Sequence, residues 1–160
     1  MQATKDTFLK TLASRLAVVN PARTVMLDGA SYPAVLAAEN NIPVPSNTEL
    51  ECFLLSWEGA CHATPEAPLM YMDCKLSYGS RGTDAMLRTD RGRIVTAMDC
   101  ELLQLCSPRY AAKCDYTQTP PGALGTNIFW TQPVMAAPTD VEGVLVRSAS
   151  IRLFFFPEVG

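Results

Sequence analysis

A segment near the middle of the chain, residues 69–78, alternates strictly between apolar and polar side chains. The apolar set is Met70, Met72, Cys74 and Leu76, and the polar set is Tyr71, Asp73, Lys75 and Ser77. Successive side chains of a β-strand lie on opposite faces of the sheet. The segment therefore predicts a strand of a sheet that has one face on a core and the other face outward.

Two segments carry apolar residues at helical spacing instead. The first, residues 4–19, has its apolar positions at Phe8, Leu9, Leu12, Leu16 and Val19. The second, residues 91–106, has them at Ile94, Val95, Met98, Leu102 and Leu105. We expect both segments to be amphipathic helices with one side packed on the core.

Local signals mark the ends of both helices. Thr4 or Asp6 is the expected N-cap of the first helix, and Asp90 is that of the second. Proline disfavours the α conformation of the preceding residue, so Asn20-Pro21 and Ser107-Pro108 are expected to end them.

The rest of the sequence predicts strands and loops. Strands are predicted at residues 24–27, 33–39, 51–57, 127–131 and 144–156, with a turn at Asp28-Gly29 and a break at Gly79 and Gly82. Loops are predicted at residues 40–47, 107–127 and 135–143. The order of elements lacks a regular βαβ alternation. It indicates an α+β fold with a mixed, mostly antiparallel sheet and two helices packed on one face.

Length and charge narrow the classes of function. A chain of 160 residues fits one domain, here residues 1–160. Charged residues make up 18% of the chain, below the roughly 25% that is typical, which favours a surface partly covered by partners. The net charge is −3, and the densest basic group, Arg88, Arg91 and Arg93, is diluted by Asp84 and Asp90. Specific nucleic-acid binding is therefore not expected. Neither a membrane span nor a signal peptide is predicted.

The six cysteines are expected to be reduced thiols. Four of them, Cys52, Cys74, Cys100 and Cys106, lie within apolar patterns that suit small buried side chains. With no export signal predicted, a cytosolic environment and free thiols are the favoured interpretation.

The only histidine, His62, directly follows Cys61 in a segment predicted to be a loop between two strands. A nucleophilic pair needs a base that approaches the thiol from a fixed direction, which adjacent loop residues seldom achieve. A zinc site made from His62 with Cys52, Cys61 or Cys74 matches no common ligand spacing.

Other reactive centres are not indicated. No acid pair is predicted, because each candidate carboxylate suits a strand surface, a helix cap or a solvated helix face. The candidates are Asp73, Asp84, Asp90, Asp99 and Glu101. Trp57 and Trp130 suit an interface or the core. The sequence therefore predicts no catalytic residue, no cofactor and no metal site.

The layout of the chain resembles a known group of proteins. The helix at residues 4–19 leads to Tyr-Pro-Ala-Val at 32–35, Cys-Phe-Leu-Leu-Ser-Trp at 52–57 and the alternating strand. Asp-Arg-Gly-Arg-Ile-Val-Thr-Ala-Met-Asp at 90–99 opens the second helix, and Ile-Phe-Trp at 128–130 and the strand at 144–156 follow. In order and length these elements are similar to those of tail terminator, or tail-completion, and related minor tail proteins of tailed phages.

The resemblance implies a structural virion protein that closes into a ring, commonly six-fold, on the tail tube and helps to join the tail to the head. Its partners would be further copies of itself, the tail tube protein and head-to-tail connector proteins, in the virion tail and in the host cytoplasm during assembly. Edge strands can pair across copies, and the 107–127 segment is long enough to reach a neighbouring copy. Other head-to-tail connectors or adaptors, and a small cytosolic enzyme or metal-binding module that uses Cys61 and His62, remain alternatives.

Overall fold

The computed structural model describes residues 1–39, 50–64 and 66–158, which contain two α-helices and ten β-strands. Helix α1 spans Gln2–Val19 and helix α2 spans Arg91–Leu105. The strands are β1 (Thr24–Leu27), β2 (Ala30–Pro33), β3 (Val35–Ala37), β4 (Phe53–His62), β5 (Met70–Ser80), β6 (Tyr110–Asp115), β7 (Gly122–Trp130), β8 (Val134–Met135), β9 (Thr139–Val141) and β10 (Val144–Phe155).

Eight of these strands form one sheet, in the order β3-β4-β5-β10-β7-β6, with the short strands β8 and β9 also paired to β10. β3 runs parallel to β4, and the other pairs within the described residues are antiparallel. β1 and β2 form a separate hairpin around Asp28-Gly29. The predicted α+β fold with a mixed, mostly antiparallel sheet is confirmed.

The longest pairing, between β5 and β10, runs from Met70 opposite Phe155 to Ser80 opposite Leu145. The apolar positions of the alternating segment are turned into the core: Met72, Cys74 and Leu76 are all buried. So are the alternate positions of the partner strand, which are Ala149, Ile151, Leu153 and Phe155. Both strands therefore have the two faces that their sequences predicted.

Both helices lie on this buried face, which we call the inner face of the sheet. The Tyr78 hydroxyl of β5 donates a hydrogen bond of 2.6 Å to Asp99 of α2. On α1, the Phe8 ring meets Trp57 of β4 and Trp130 of β7 edge-on, with centroid distances of 6.1 and 5.2 Å. Because β5 and β10 separate β4 from β7, the sheet curls around α1.

Helix α1 also closes one edge of the sheet. The Thr7 hydroxyl accepts a hydrogen bond of 3.0 Å from the Cys114 amide of β6, and an Arg15 guanidinium nitrogen lies 3.3 Å from the Tyr110 carbonyl that accepts its hydrogen bond. Side chains of the helix thus occupy backbone groups that an open edge strand would offer to another chain. Strand addition between copies is therefore not favoured at β6.

The predicted N-cap of α1 was wrong, whereas Asp90 is the N-cap residue of α2 as predicted, although its side chain does not cap the helix. Helix α1 begins at Gln2, with Met1 in the capping position, so Thr4 and Asp6 both lie within the helix, and Thr4 is buried. Asp90 does precede α2, but its carboxylate accepts hydrogen bonds of 2.8 Å from the amide and the hydroxyl of Thr83. The helix ends at Asn20 and at Ser107-Pro108 are confirmed.

The predicted loops at residues 107–127 and 135–143 were also wrong in part. Residues 107–127 contain β6 and most of β7, which pair as an antiparallel hairpin, and residues 134–141 contain β8 and β9. Polar residues and glycines hid these strands, since propensity favours β-branched and aromatic residues. Most of the 107–127 segment is therefore part of the sheet. The predicted loop at residues 40–47 lies outside the described residues.

Gly79 does not break β5, as its sequence suggested, because the strand continues to Ser80. A Cβ atom on Gly79 would lie 2.6 Å from the carbonyl oxygen of Leu145 on β10. The glycine therefore allows close approach of two backbones within the sheet. In the part of the chain that the structure describes, no helix is both long and apolar enough to cross a membrane.

Candidate interaction surface

The side of the sheet opposite both helices, which carries Tyr71, Asp73, Lys75 and Ser77 of β5, is the outer face. Four aromatic side chains lie across it in one line, one on each of four neighbouring strands. They are Tyr71 on β5, Phe154 on β10, Phe129 on β7 and Tyr110 on β6, and we call them the aromatic row. Tyr71 lies opposite Phe154, Phe154 opposite Phe129, and Phe129 opposite Tyr110.

The alternation of the strands places this row outside the core. The neighbours of Phe129, Ile128 and Trp130, are buried, and so are those of Phe154. By contrast, Tyr110 is 52% exposed and Phe129 is 46% exposed. Ring centroids are 6.3 Å apart for Tyr71 and Phe154, and 6.5 Å apart for Tyr110 and Phe129. The row therefore consists of two pairs of neighbouring rings, which the pairing of Phe154 with Phe129 places side by side.

A charged pair fixes the Tyr71 end of the row. Arg152 binds Asp73 through two hydrogen bonds of 2.7 and 2.9 Å, and its guanidinium lies over the Tyr71 ring at 4.2 Å from the centroid. The hydrogen bond from Arg152 lowers the pKa of Asp73, and the same bond raises the pKa of Arg152. A bidentate pair of this kind orients both groups, so the ring beneath Arg152 has a defined position.

Beyond Arg152, toward the Ser80 end of β5, the outer face carries no further residues of the aromatic row. Polar side chains there include Ser77 opposite Ser148 and Lys75 opposite Ser150, and they lie beside Leu54 and Val146. Between this part and the row lies a shallow depression lined by Glu58, Asp73, Val134 and Arg152, among others. Val134 is 71% exposed. The outer face thus combines an aromatic end with an end of mixed polar and aliphatic side chains.

Cys61 and His62 do not lie in a loop, as predicted, but are the last two residues of β4. Consecutive residues of a strand lie on opposite faces, and the two pair with Tyr71 and Met70 respectively. A hydrogen bond with the Cys61 thiol raises the pKa of Tyr71, whereas His62 Nδ1 lies 3.2 Å from the Ala67 carbonyl oxygen. The Cys61 side chain therefore lies next to the Tyr71 end of the aromatic row, on the neighbouring strand β4.

The cysteines considered for a zinc site are in different environments. Cys52 and Cys74 are buried, whereas Cys61 and His62 are exposed. Among the described residues no group of three or more His, Cys, Asp or Glu side chains is placed to hold a metal ion. No two cysteines form a disulfide in this part of the chain.

The environments of the thiols predict their rates of alkylation. Burial raises the pKa of Cys74 and raises that of Cys106 to about 12. Only thiolates react, so we expect iodoacetamide to modify the exposed Cys61 and Cys100 in the native protein. Cys74 and Cys106 should react only after unfolding. Peptide mass spectrometry over time measures each rate. If Cys61 reacted many times faster than Cys100, it would be an activated thiol, contrary to this interpretation.

The five carboxylates that were considered for an acid pair each have a separate partner. The partners are Arg152 for Asp73, Arg88 for Asp84, Thr83 for Asp90, Arg147 for Asp99 and Arg23 for Glu101. Asp73, Asp99 and Glu101 therefore hold separate elements together, whereas Asp84 and Asp90 bind residues of their own loop.

Both tryptophans belong to the core. Trp130 is buried, and its indole N–H donates a hydrogen bond of 2.9 Å to the Cys106 carbonyl. Trp57 is half-buried, packs against the core cluster and lies under the Lys5 ammonium. The exposed aromatic residues of the row are different ones, and Tyr110 lies in the segment that the sequence predicted to be a loop. For Phe129 the sequence does contain a signal. Its neighbours Ile128 and Trp130 are apolar and suit the buried face of a strand, which places Phe129 on the opposite, outer face.

No protein-family model matches the chain, and a search of curated proteins finds no match either. The arguments that follow therefore use the geometry of the chain itself.

Proposed function

We propose that this protein is a structural subunit of a phage tail or phage-like particle, which assembles with copies of itself into a ring that completes the tail tube. The observation that carries the proposal is the aromatic row on the outer face. A row of exposed aromatic side chains on a rigid sheet is costly for a solitary protein and typical of a protein interface.

Three further features support assembly through side chains. Aromatic residues provide much of the binding energy of interfaces, because they bury a large area with few rotatable bonds. The central strands fix the row, so little conformational entropy is lost on binding. Since α1 closes the β6 edge, the exposed surface offers side chains in preference to unpaired backbone groups.

The location in a tail is supported by the order of elements. The chain resembles tail terminator proteins in having a helix, a short buried strand, the central strands, a second helix and a long final strand in this order, with further strands between them. We propose the tail tube protein and head-to-tail connector proteins as further partners, with a role in joining the tail to the head. The net charge of −3 suits a ring that does not grip the DNA passing through it.

Assembly of the purified protein tests this function. We expect light scattering after size-exclusion chromatography to give a mass several times that of one chain, and negative-stain electron micrographs to show closed rings. Replacing Phe129 by aspartate places a charge within the row and should abolish the rings. The matched control is Tyr32→Asp, since Tyr32 is 49% exposed but lies on the separate β1–β2 hairpin.

Two results would argue against this function or against this surface. A wild-type protein that stays monomeric at high concentration and forms no rings would contradict the proposal. Rings that persist in Phe129→Asp would show that assembly uses another surface. Circular dichroism of both variants checks that the fold is retained.

A further inference from the structure

A second exposed apolar feature lies at the far end of β5. The loop at residues 81–90 joins β5 to α2 and contains the 3-10 turn Asp84–Met86. At its tip, Met86 is 50% exposed and Leu87 is 85% exposed. Met86 and Leu87 are adjacent in sequence, so together they form a small apolar tip that a partner could cover.

The loop holds this tip in a defined and strained conformation. Leu87 and Arg88, neither of them glycine, have φ angles of 49° and 64° in the left-handed region. The base of the loop is closed by the buried Asp90 carboxylate, which binds the Thr83 amide and hydroxyl at 2.8 Å. Two adjacent left-handed residues persist only where the surrounding structure enforces them, and such strain is often found at binding sites.

The tip and the aromatic row lie too far apart to satisfy each other within one chain. Tyr71 is near the start of β5 and the loop follows its last residue, Ser80. At about 3.3 Å per residue, this places the two features about 30 Å apart. Contact between them therefore requires two molecules, arranged so that the loop end of one meets the row of the other.

The two surfaces are complementary in chemistry. The Met86 thioether and the Leu87 side chain suit a strip of aromatic rings, because sulfur makes favourable contacts with ring edges. The two surfaces also carry side chains of opposite charge. The loop carries Arg81, which has no ion pair within the residues described, and the depression beside the row carries Glu58, which is likewise without an ion pair there.

We propose that the aromatic row of one copy receives Met86 and Leu87 from the 81–90 loop of the next copy. This inference rests on the proposed assembly into rings and names the two surfaces that meet. Because the surfaces differ, the contact is heterologous, and repetition of such a contact generates a ring when its rotation closes.

Mixing two variants tests the head-to-tail contact. Leu87→Asp removes the loop's anchor and leaves the row intact, whereas Phe129→Asp disrupts the row and leaves the loop intact. We expect each variant alone to be monomeric, with the concentration needed for half-assembly raised by about 30-fold or more. An equimolar mixture should form 1:1 heterodimers and nothing larger, because only one functional contact remains. Native mass spectrometry, with one variant carrying a mass label, identifies the heterodimer.

Matched controls exclude general effects of a surface aspartate. Val18 of α1 is 81% exposed, close to Leu87, and lies outside both surfaces. Val18→Asp should assemble as the wild type does. Tyr110→Asp provides a second disruption of the row in case Phe129→Asp is poorly folded, and thermal unfolding establishes which variants are native.

Three other outcomes would contradict the inference, and each would have a different meaning. If the wild type forms rings and Leu87→Asp also forms them, the loop is not the contact, although the proposed function stands. If Leu87→Asp forms dimers by itself, the row pairs with a second row. If the wild type forms no rings at all, the proposed function and this inference both fail.

Discussion

Replacing Phe8 by alanine is expected to lower the free energy of unfolding by about 3–5 kcal/mol, the range for large aromatic side chains in cores. Phe8 is fully buried, and its ring contacts Trp57 on one side and Trp130 on the other. Because these rings belong to β4 and β7, the Phe8 side chain fills the inside of the curled sheet. The cavity left by alanine would separate both walls from the helix.

The loss would be a large part of the total stability, which is roughly 5–15 kcal/mol for proteins of this kind. Urea unfolding followed by tryptophan fluorescence measures it directly, at a concentration at which the protein is monomeric. Val18→Ala on the same helix is the control, and a change within about 0.5 kcal/mol is expected there. A loss below about 1 kcal/mol for Phe8→Ala, outside the stated core range, would show that the core closes around the gap.

Replacing Glu101 by alanine is expected to cost about 3 kcal/mol, at the lower end of the range for breaking a buried ion pair. Glu101 of α2 accepts hydrogen bonds from Arg23 at 2.5 and 3.1 Å and from Asn20 at 2.8 Å. Side-chain exposure is only 9% for Arg23 and 12% for Glu101. Without Glu101, the Arg23 guanidinium keeps Glu51 at 3.6 Å as its remaining carboxylate, which limits the loss.

A double variant separates the charge effect from packing. Arg23→Met with Glu101→Leu removes both charges and should recover most of the stability, since apolar residues of similar size often replace such pairs without cost. Asp84→Ala is the matched control. It breaks an exposed pair with Arg88 and should cost about 0–1 kcal/mol. If the double variant were no more stable than Glu101→Ala, the uncompensated charge would not be the cause.

Long segments with a clear period were predicted well. Helix α1 was expected at residues 4–19 and spans Gln2–Val19, and β10 was expected at 144–156 and spans Val144–Phe155. In these segments the hydrophobic pattern and the local stop signals agree, so neighbours in sequence contain the necessary information.

The β6–β7 hairpin was missed for a physical reason that one residue illustrates. Lys113 is 1% exposed, although lysine is almost never fully buried without a partner. Its ammonium binds the Phe156 carbonyl at 2.7 Å and the Glu158 carboxylate at 2.6 Å. Both partners lie more than forty positions further along the chain, so no local pattern at Lys113 indicates a buried strand.

The sequence by itself determined the fold class, the two helices, the central strands and which of their faces is buried, because apolar periodicity acts through neighbours a few residues apart. Only the tertiary structure decided the surfaces on which the proposals depend. The aromatic row exists because strand pairing aligns Tyr71, Phe154, Phe129 and Tyr110, which lie far apart in sequence. Such alignment depends on the register of long-range pairs, and a shift of one residue would turn each of these rings to the other face.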